Sequence, residues 1–118
     1  MAGPASATVP VIGVSPTSFR FLVYAFRPSY NPPGQKLSIT NLGGGALIWT
    51  ARKSGYWLKL SSTTGTAPST VTVSVNRASI PIGINGYRPR YLQGAITVSA
   101  AGATTQTIPV LLTISYVR

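Results

Sequence analysis

The chain has 118 residues and carries ten Lys and Arg side chains, but it contains no Asp, Glu, His or Cys. General acid–base catalysis usually draws on His, Asp or Glu, and protein metal sites are built from His, Cys or carboxylate ligands. The composition therefore argues against an enzyme and against a bound metal or other cofactor. The formal charge of +10 has no acidic side chain to neutralise it, so we expect the compensating charge to lie on a partner molecule.

The first ten residues contain neither a basic segment nor an apolar one, so they do not read as a secretory signal. We expect residues 1–10 to form a flexible N-terminal arm and residues 11–118 to form one domain. A short strand near residues 11–14 is expected to pair with the C-terminal strand. No stretch is apolar enough over its length to predict insertion into a membrane.

Apolar side chains recur at every second position in most of the chain, as in the series Phe19, Phe21 and Val23, which is typical of strands with one buried face. Seven strands are predicted, at residues 18–26, 35–41, 47–52, 57–61, 69–75, 91–99 and 105–116. Segments rich in Gly, Pro and Asn separate them. Seven short strands at this spacing predict an all-β fold, a seven-stranded immunoglobulin-like β-sandwich.

Both tryptophans lie in the middle of the chain, and we expect Trp49 and Trp57 to fill the space between the two sheets. Trp57 follows Gly55 and Tyr56 near a loop, so it is also a candidate for stacking against a ligand such as a sugar ring.

Two loop segments combine Tyr and Arg, one after the first predicted strand and one before the strand at 91–99. Tyr offers rigid apolar area with a hydroxyl, and Arg offers a planar fork for carboxylates, so both types often anchor interfaces. The predicted partner-binding residues are Arg27, Tyr30, Tyr87, Arg88, Arg90 and Tyr91. The alternative is that these arginines keep the loops soluble while the tyrosines pack beneath them.

A second basic group, Arg52, Lys53 and Lys59, lies around the Trp-containing hairpin. The remaining cations are dispersed, and no basic run exceeds two residues. A nucleic-acid interface usually concentrates Lys and Arg along a groove with interleaved aromatic rings. We therefore expect no sequence-specific recognition of nucleic acid.

A succession of short segments marks the chain from residue 37 onward: LSITN (37–41), GGG (43–45), LIWTA (47–51), WLKLS (57–61), TGTAP (64–68), VTVSV (71–75), GAITV (94–98) and IPV (108–110). In order and spacing they resemble the BACON-type immunoglobulin-like modules of bacterial surface proteins and phage proteins. The resemblance implies the sandwich fold and, for some members, carbohydrate binding. The chain departs from the pattern at residues 84–91, where a basic and aromatic segment is inserted.

The preferred interpretation is a noncatalytic structural or binding module, most concretely a decoration or accessory protein on a virion surface. Its positive charge would dock it on an acidic protein assembly such as a capsid. One alternative is a carbohydrate-binding or adhesive module for acidic glycans, located extracellularly or on a cell surface. Another is an extracellular filament subunit, a homo-oligomer in which the N-terminal arm or residues 105–117 pair with the sheet edge of the next copy.

Overall fold

The computed structural model describes residues 9–27, 29–80 and 91–116. These residues form nine strands: β1 (Ile12–Ser15), β2 (Phe19–Tyr24), β3 (Gln35–Asn41), β4 (Ile48–Ser54), β5 (Leu58–Leu60), β6 (Thr64–Thr66), β7 (Ser69–Val75), β8 (Tyr91–Ala100) and β9 (Gln106–Ser115). A single 3-10 turn, Arg77–Ser79, follows β7 within the described part of the chain. The predicted all-β class is confirmed, whereas the predicted count of seven strands is wrong.

Two sheets make up the sandwich. The four-stranded sheet has the order β1-β3-β7-β5, and the five-stranded sheet has the order β2-β9-β8-β4-β6. The β2–β9 pair is parallel and the other pairs are antiparallel. Because β1 and β2 belong to different sheets, the chain crosses from one sheet to the other between Ser15 and Phe19.

The position of β9 corrects two expectations. The short N-terminal strand β1 pairs with β3, where Ile12 lies opposite Asn41, and not with the C-terminal strand. The place beside β9 is taken by β2, since Phe19 lies opposite Val110. With β8 on its other side, residues 110–113 of β9 are paired along both edges. Over these residues β9 therefore has no free edge that could pair with a neighbouring copy. The filament hypothesis required such a free edge.

The N-terminal end of the domain is bonded to the glycine-rich loop before β4. The amide of Gly44 donates to the carbonyl of Val9 at 3.0 Å, and the amide of Leu42 donates to the carbonyl of Val11 at 2.8 Å. Within the described residues, backbone pairing therefore extends to Val9, a residue that the sequence assigned to the arm. The remainder of the predicted arm, residues 1–8, lies outside the described residues.

Trp49 and Trp57 are both in the core, as expected from their size and apolar surface. Trp49 is 1% exposed, and its indole Nε1 donates to Ser69 Oγ at 3.0 Å. Trp57 is 2% exposed, so its ring is covered by protein and cannot stack on a sugar. The prediction of Trp57 as a ligand-stacking residue is wrong. Its ring packs into the core although the residue lies next to a loop.

The outer faces of the two sheets differ in chemistry. On the four-stranded sheet the outward positions of β3 and β7 hold only Ser, Thr and Lys, the polar half of the alternation that buries Leu37, Ile39 and Val71. On the five-stranded sheet the outward positions of β2, β8 and β9 include large apolar and aromatic side chains, among them Leu22 and Tyr91, which are exposed. The second face is therefore the better candidate for a contact surface.

Candidate partner-binding surface

Arg27 and Tyr30 come together around Tyr24, the last residue of β2. The Arg27 guanidinium carbon lies 5.0 Å from the centroid of the Tyr24 ring, within the range of a cation–π contact. The Tyr30 ring meets the same ring edge-on, with centroids 5.2 Å apart. We call these three residues the aromatic turn.

Two backbone hydrogen bonds hold the aromatic turn in shape. The amide of Arg27 donates to the carbonyl of Tyr24 at 3.1 Å, and the amide of Tyr30 donates to the carbonyl of Arg27 at 3.0 Å. Each bond spans three residues and so closes a tight turn. Arg27 and Tyr30 are nevertheless exposed, so both side chains are accessible from the solvent.

Phe26 extends this surface and was not singled out in the sequence. Its exposed ring lies 6.2 Å from the Tyr116 ring, at an interplanar angle of 78°. The available signal was its place beside Arg27 in a segment rich in Pro and Tyr. An exposed Phe next to an Arg is a residue pair of the kind found at interface centres.

Tyr91 lies on the same sheet face as the aromatic turn and near the same end. Tyr91 is opposite Thr113 on β9, and Thr113 is in turn opposite Leu22 on β2. Tyr24 follows Leu22 by two residues and therefore points to the same side of the sheet. Two strand spacings separate β2 from β8, about 10 Å, so one partner surface can contact both segments.

The structure thus brings together three of the six predicted partner-binding residues: Arg27 and Tyr30 directly, and Tyr91 across the sheet. Tyr87, Arg88 and Arg90 lie outside the described residues, and their role stays a prediction. The surface at this end comprises the half-buried Tyr24 and five exposed residues, which together we call the aromatic end: Leu22, Phe26, Arg27, Tyr30 and Tyr91.

A groove lies beside the aromatic turn. It has a volume of about 600 Å³ and is lined, among the described residues, by Asn31, Lys59, Val75, Asn76, Arg77 and Ala78. Arg77 joins the groove to the aromatic turn, since its Nη2 donates to the backbone carbonyl of Tyr24 at 3.0 Å. Its Nε is buried and has no hydrogen-bond partner, alone among the buried side-chain nitrogen and oxygen atoms of the described residues.

No Asp or Glu exists in the sequence, so no acidic side chain can neutralise the cations of the groove and the aromatic end. A surface with Arg and Tyr side chains and no acidic side chain is suited to binding carboxylates on another molecule. Among the described residues, no helix is long and apolar enough to cross a membrane.

The fold and this surface define the class: an immunoglobulin-like β-sandwich that presents a basic, aromatic end. Residues 11–115 match the viral BACON domain family, and the chain belongs to that family. This confirms the resemblance drawn from the sequence motifs. Membership fits a binding or structural module, and the description of the family points to a viral protein.

Several solved structures share the fold. A GH5 xyloglucanase from Bacteroides ovatus, in complex with a XXXG heptasaccharide, has a TM-score of 0.62 and 21% identity, over 91% of this chain and 20% of that chain. A protein of unknown function from Porphyromonas gingivalis W83 has a TM-score of 0.65 and 13% identity, over 89% of this chain and 48% of that one. The E. coli chaperone DraB has a TM-score of 0.61 and 10% identity, over 92% and 58%.

At these identities the likeness concerns the fold alone. The chain spans 20% to 58% of the length of these three proteins, so it corresponds to one part of each. The search of curated proteins found no significant match.

Proposed function

We propose that the chain is a noncatalytic docking module of a virus particle, which binds an acidic protein surface through the aromatic end. One observation carries the proposal: the exposed side chains of Arg27 and Tyr30 pack on the half-buried ring of Tyr24, on the sheet face that also bears Tyr91, in a chain without any acidic side chain. The membership of the viral BACON family supports the viral setting.

Charge and ring contacts contribute in different ways. The net charge of +10 attracts an acidic assembly over a distance that shrinks as salt is added, and so mainly raises the rate of encounter. The tyrosine and phenylalanine rings then supply apolar area that is removed from water in the complex. Binding should therefore weaken with salt without being abolished by it.

Co-sedimentation with particles of the virus that encodes the chain tests the proposal. Tyr91→Ser and Tyr56→Ser form a matched pair, because Tyr91 is 61% exposed at the aromatic end and Tyr56 is 62% exposed in the turn between β4 and β5. We expect Tyr91→Ser to weaken binding about tenfold or more, a loss typical of an interface anchor. Tyr56→Ser should bind like the wild type.

Two results would contradict the proposal. The first is a failure of the wild-type protein to co-sediment at any salt concentration. The second is an equal loss of binding in the two tyrosine variants, because that would place the contact outside the aromatic end. Immunogold labelling of intact particles then tests the finer proposal of a virion-surface location, since an internal protein would stay unlabelled.

The alternative of acidic-glycan binding is weakened, because the tryptophan proposed to stack on sugar rings is in the core. A glycan array limited to sulfated or uronic sugars separates the two functions. Specific binding there, together with no binding to particles, would favour the glycan.

A further inference from the structure

The groove beside the aromatic turn is held in place by the pairing of β5 with β7. Leu58 lies opposite Val75, and the amide of Asn76 donates to the carbonyl of Trp57 at 2.6 Å. These contacts bring Lys59, the second residue of β5, close to the 3-10 turn that begins at Arg77. One cation from a strand, Lys59, and one from the 3-10 turn, Arg77, therefore line one groove.

The described lining of this groove carries two cations and two side-chain amides but no acidic group. Arg77 uses Nη2 on a neutral carbonyl oxygen and leaves its buried Nε unpartnered. The side chains of Asn31 and Asn76 add amide groups, of which Asn76 Nδ2 donates to Ser79 Oγ at 2.9 Å. Arg77 is half-buried, lines the groove and has no acidic side chain beside it, so a carboxylate that a ligand brings into the groove would gain a charge-assisted contact with it.

The size and lining of the groove indicate what kind of anion it takes. A volume of about 600 Å³ is typical of a site for a ligand of several groups and is far more than one small ion needs. The described lining residues include no aromatic ring, which disfavours stacking of a nucleobase or a sugar. Carboxylates on a flexible chain match a guanidinium and an ammonium without any need for stacking.

We propose that this groove binds an acidic peptide segment of the partner protein, with Glu or Asp carboxylates facing Arg77 and Lys59. The inference rests on the proposed docking function and adds a second contact to it, next to the aromatic end. The hydrogen bond from Arg77 to the Tyr24 carbonyl links the two contacts structurally.

Fluorescence anisotropy with labelled hexaglutamate tests the groove, with hexaglutamine as the uncharged control. Lys59→Gln and Lys53→Gln form the matched pair, because both lysines are exposed and each change removes one charge. Lys53 lies on β4, in the other sheet. At about 50 mM NaCl we expect Lys59→Gln to weaken hexaglutamate binding roughly fivefold to tenfold and Lys53→Gln to weaken it less than twofold.

Equal losses in the two lysine variants would overturn the proposal, because binding would then follow net charge alone. An absence of hexaglutamate binding, or tighter binding of an oligoglucuronate of the same charge, would also overturn it, the second result in favour of a glycan. Arg77→Gln should reduce binding further. Because this change also removes the bond to Tyr24, its fold is checked by circular dichroism and the decision rests on Lys59→Gln.

The hexaglutamate test of the groove and the co-sedimentation test of the docking function can give different results, so each proposal can fail by itself. If Lys59→Gln leaves hexaglutamate binding intact while Tyr91→Ser still weakens co-sedimentation, only the groove proposal fails. If hexaglutamate binding depends on Lys59 but the wild-type protein does not bind particles, the groove is an acidic-peptide site and the viral docking function fails.

Discussion

Replacing Gly65 by Ala should destabilise the protein through a single neighbour, the indole of Trp49. Gly65 lies on β6, opposite Trp49 on β4. A Cβ added there would be 2.8 Å from Trp49 Cζ2 and 3.2 Å from Nε1, whereas carbon atoms in contact prefer about 3.5–4.0 Å. The ring would have to move by roughly 1 Å, but it is 1% exposed and bonded to Ser69.

The expected magnitude follows from three contributions. Overpacking costs about 1–3 kcal/mol, and a weakened indole hydrogen bond costs about 0.5–1.5 kcal/mol. Loss of glycine freedom in the unfolded chain offsets about 0.4–1 kcal/mol. The free energy of unfolding should therefore fall by roughly 0.5–4 kcal/mol in urea denaturation with an unchanged m value.

Two further variants make the reasoning refutable. Thr66→Ala changes an exposed residue of the same short strand and should alter stability by less than about 0.5 kcal/mol. In a Trp49→Phe background, where the smaller ring leaves space, Gly65→Ala should be nearly neutral, with a coupling energy of about 1 kcal/mol or more. If Gly65→Ala costs the same in both backgrounds, contact with the indole is not the cause.

Three other predictions concern stability. Leu112→Ala removes a fully buried side chain from β9 and should lower the free energy of unfolding by about 2–5 kcal/mol in urea; a loss below 1 kcal/mol would argue against its burial. Raising NaCl from about 10 mM to about 300 mM should raise Tm, because salt screens the repulsion among ten unpaired cations; a falling Tm would indicate that this repulsion is unimportant. Without Asp, Glu or His, the folded and unfolded chains bind equal numbers of protons between about pH 5 and about pH 7. The free energy of unfolding in urea should therefore stay constant within about 0.5 kcal/mol over this range. A clear dependence of that free energy on pH would contradict the argument.

Strong alternation of β-branched and polar residues made several strands predictable from local sequence. The bounds of β3 and β7 agree with the predicted segments 35–41 and 69–75. The strand β6 was missed because Thr64–Thr66 is short, polar and centred on Gly, which locally indicates a turn. It is a strand because β4 offers an edge and because only glycine fits over the Trp49 ring, and neither condition is visible in three residues.

The candidate site was predictable in residue type and only partly in position. The combination of Tyr and Arg identified Arg27, Tyr30 and Tyr91, but the importance of Tyr24 follows from its ring contacts with Arg27 and Tyr30. The groove was not predictable, because Lys59 and Arg77 are 18 positions apart in the sequence and meet only through the register of β5 on β7. Strand pairing partners are long-range choices, which also explains why β1 was assigned to the wrong neighbour.

The interior place of β9 in the five-stranded sheet also determines when the domain can assemble during synthesis. The ribosome makes residues 106–115 after every other described strand, yet they bridge β2 and β8. Until they emerge from the exit tunnel, β2 lacks its pairing strand and β8 can pair only with β4, and such distant partners join slowly. A nascent chain arrested before residue 106 should remain sensitive to protease, whereas one released beyond residue 115 gains resistance.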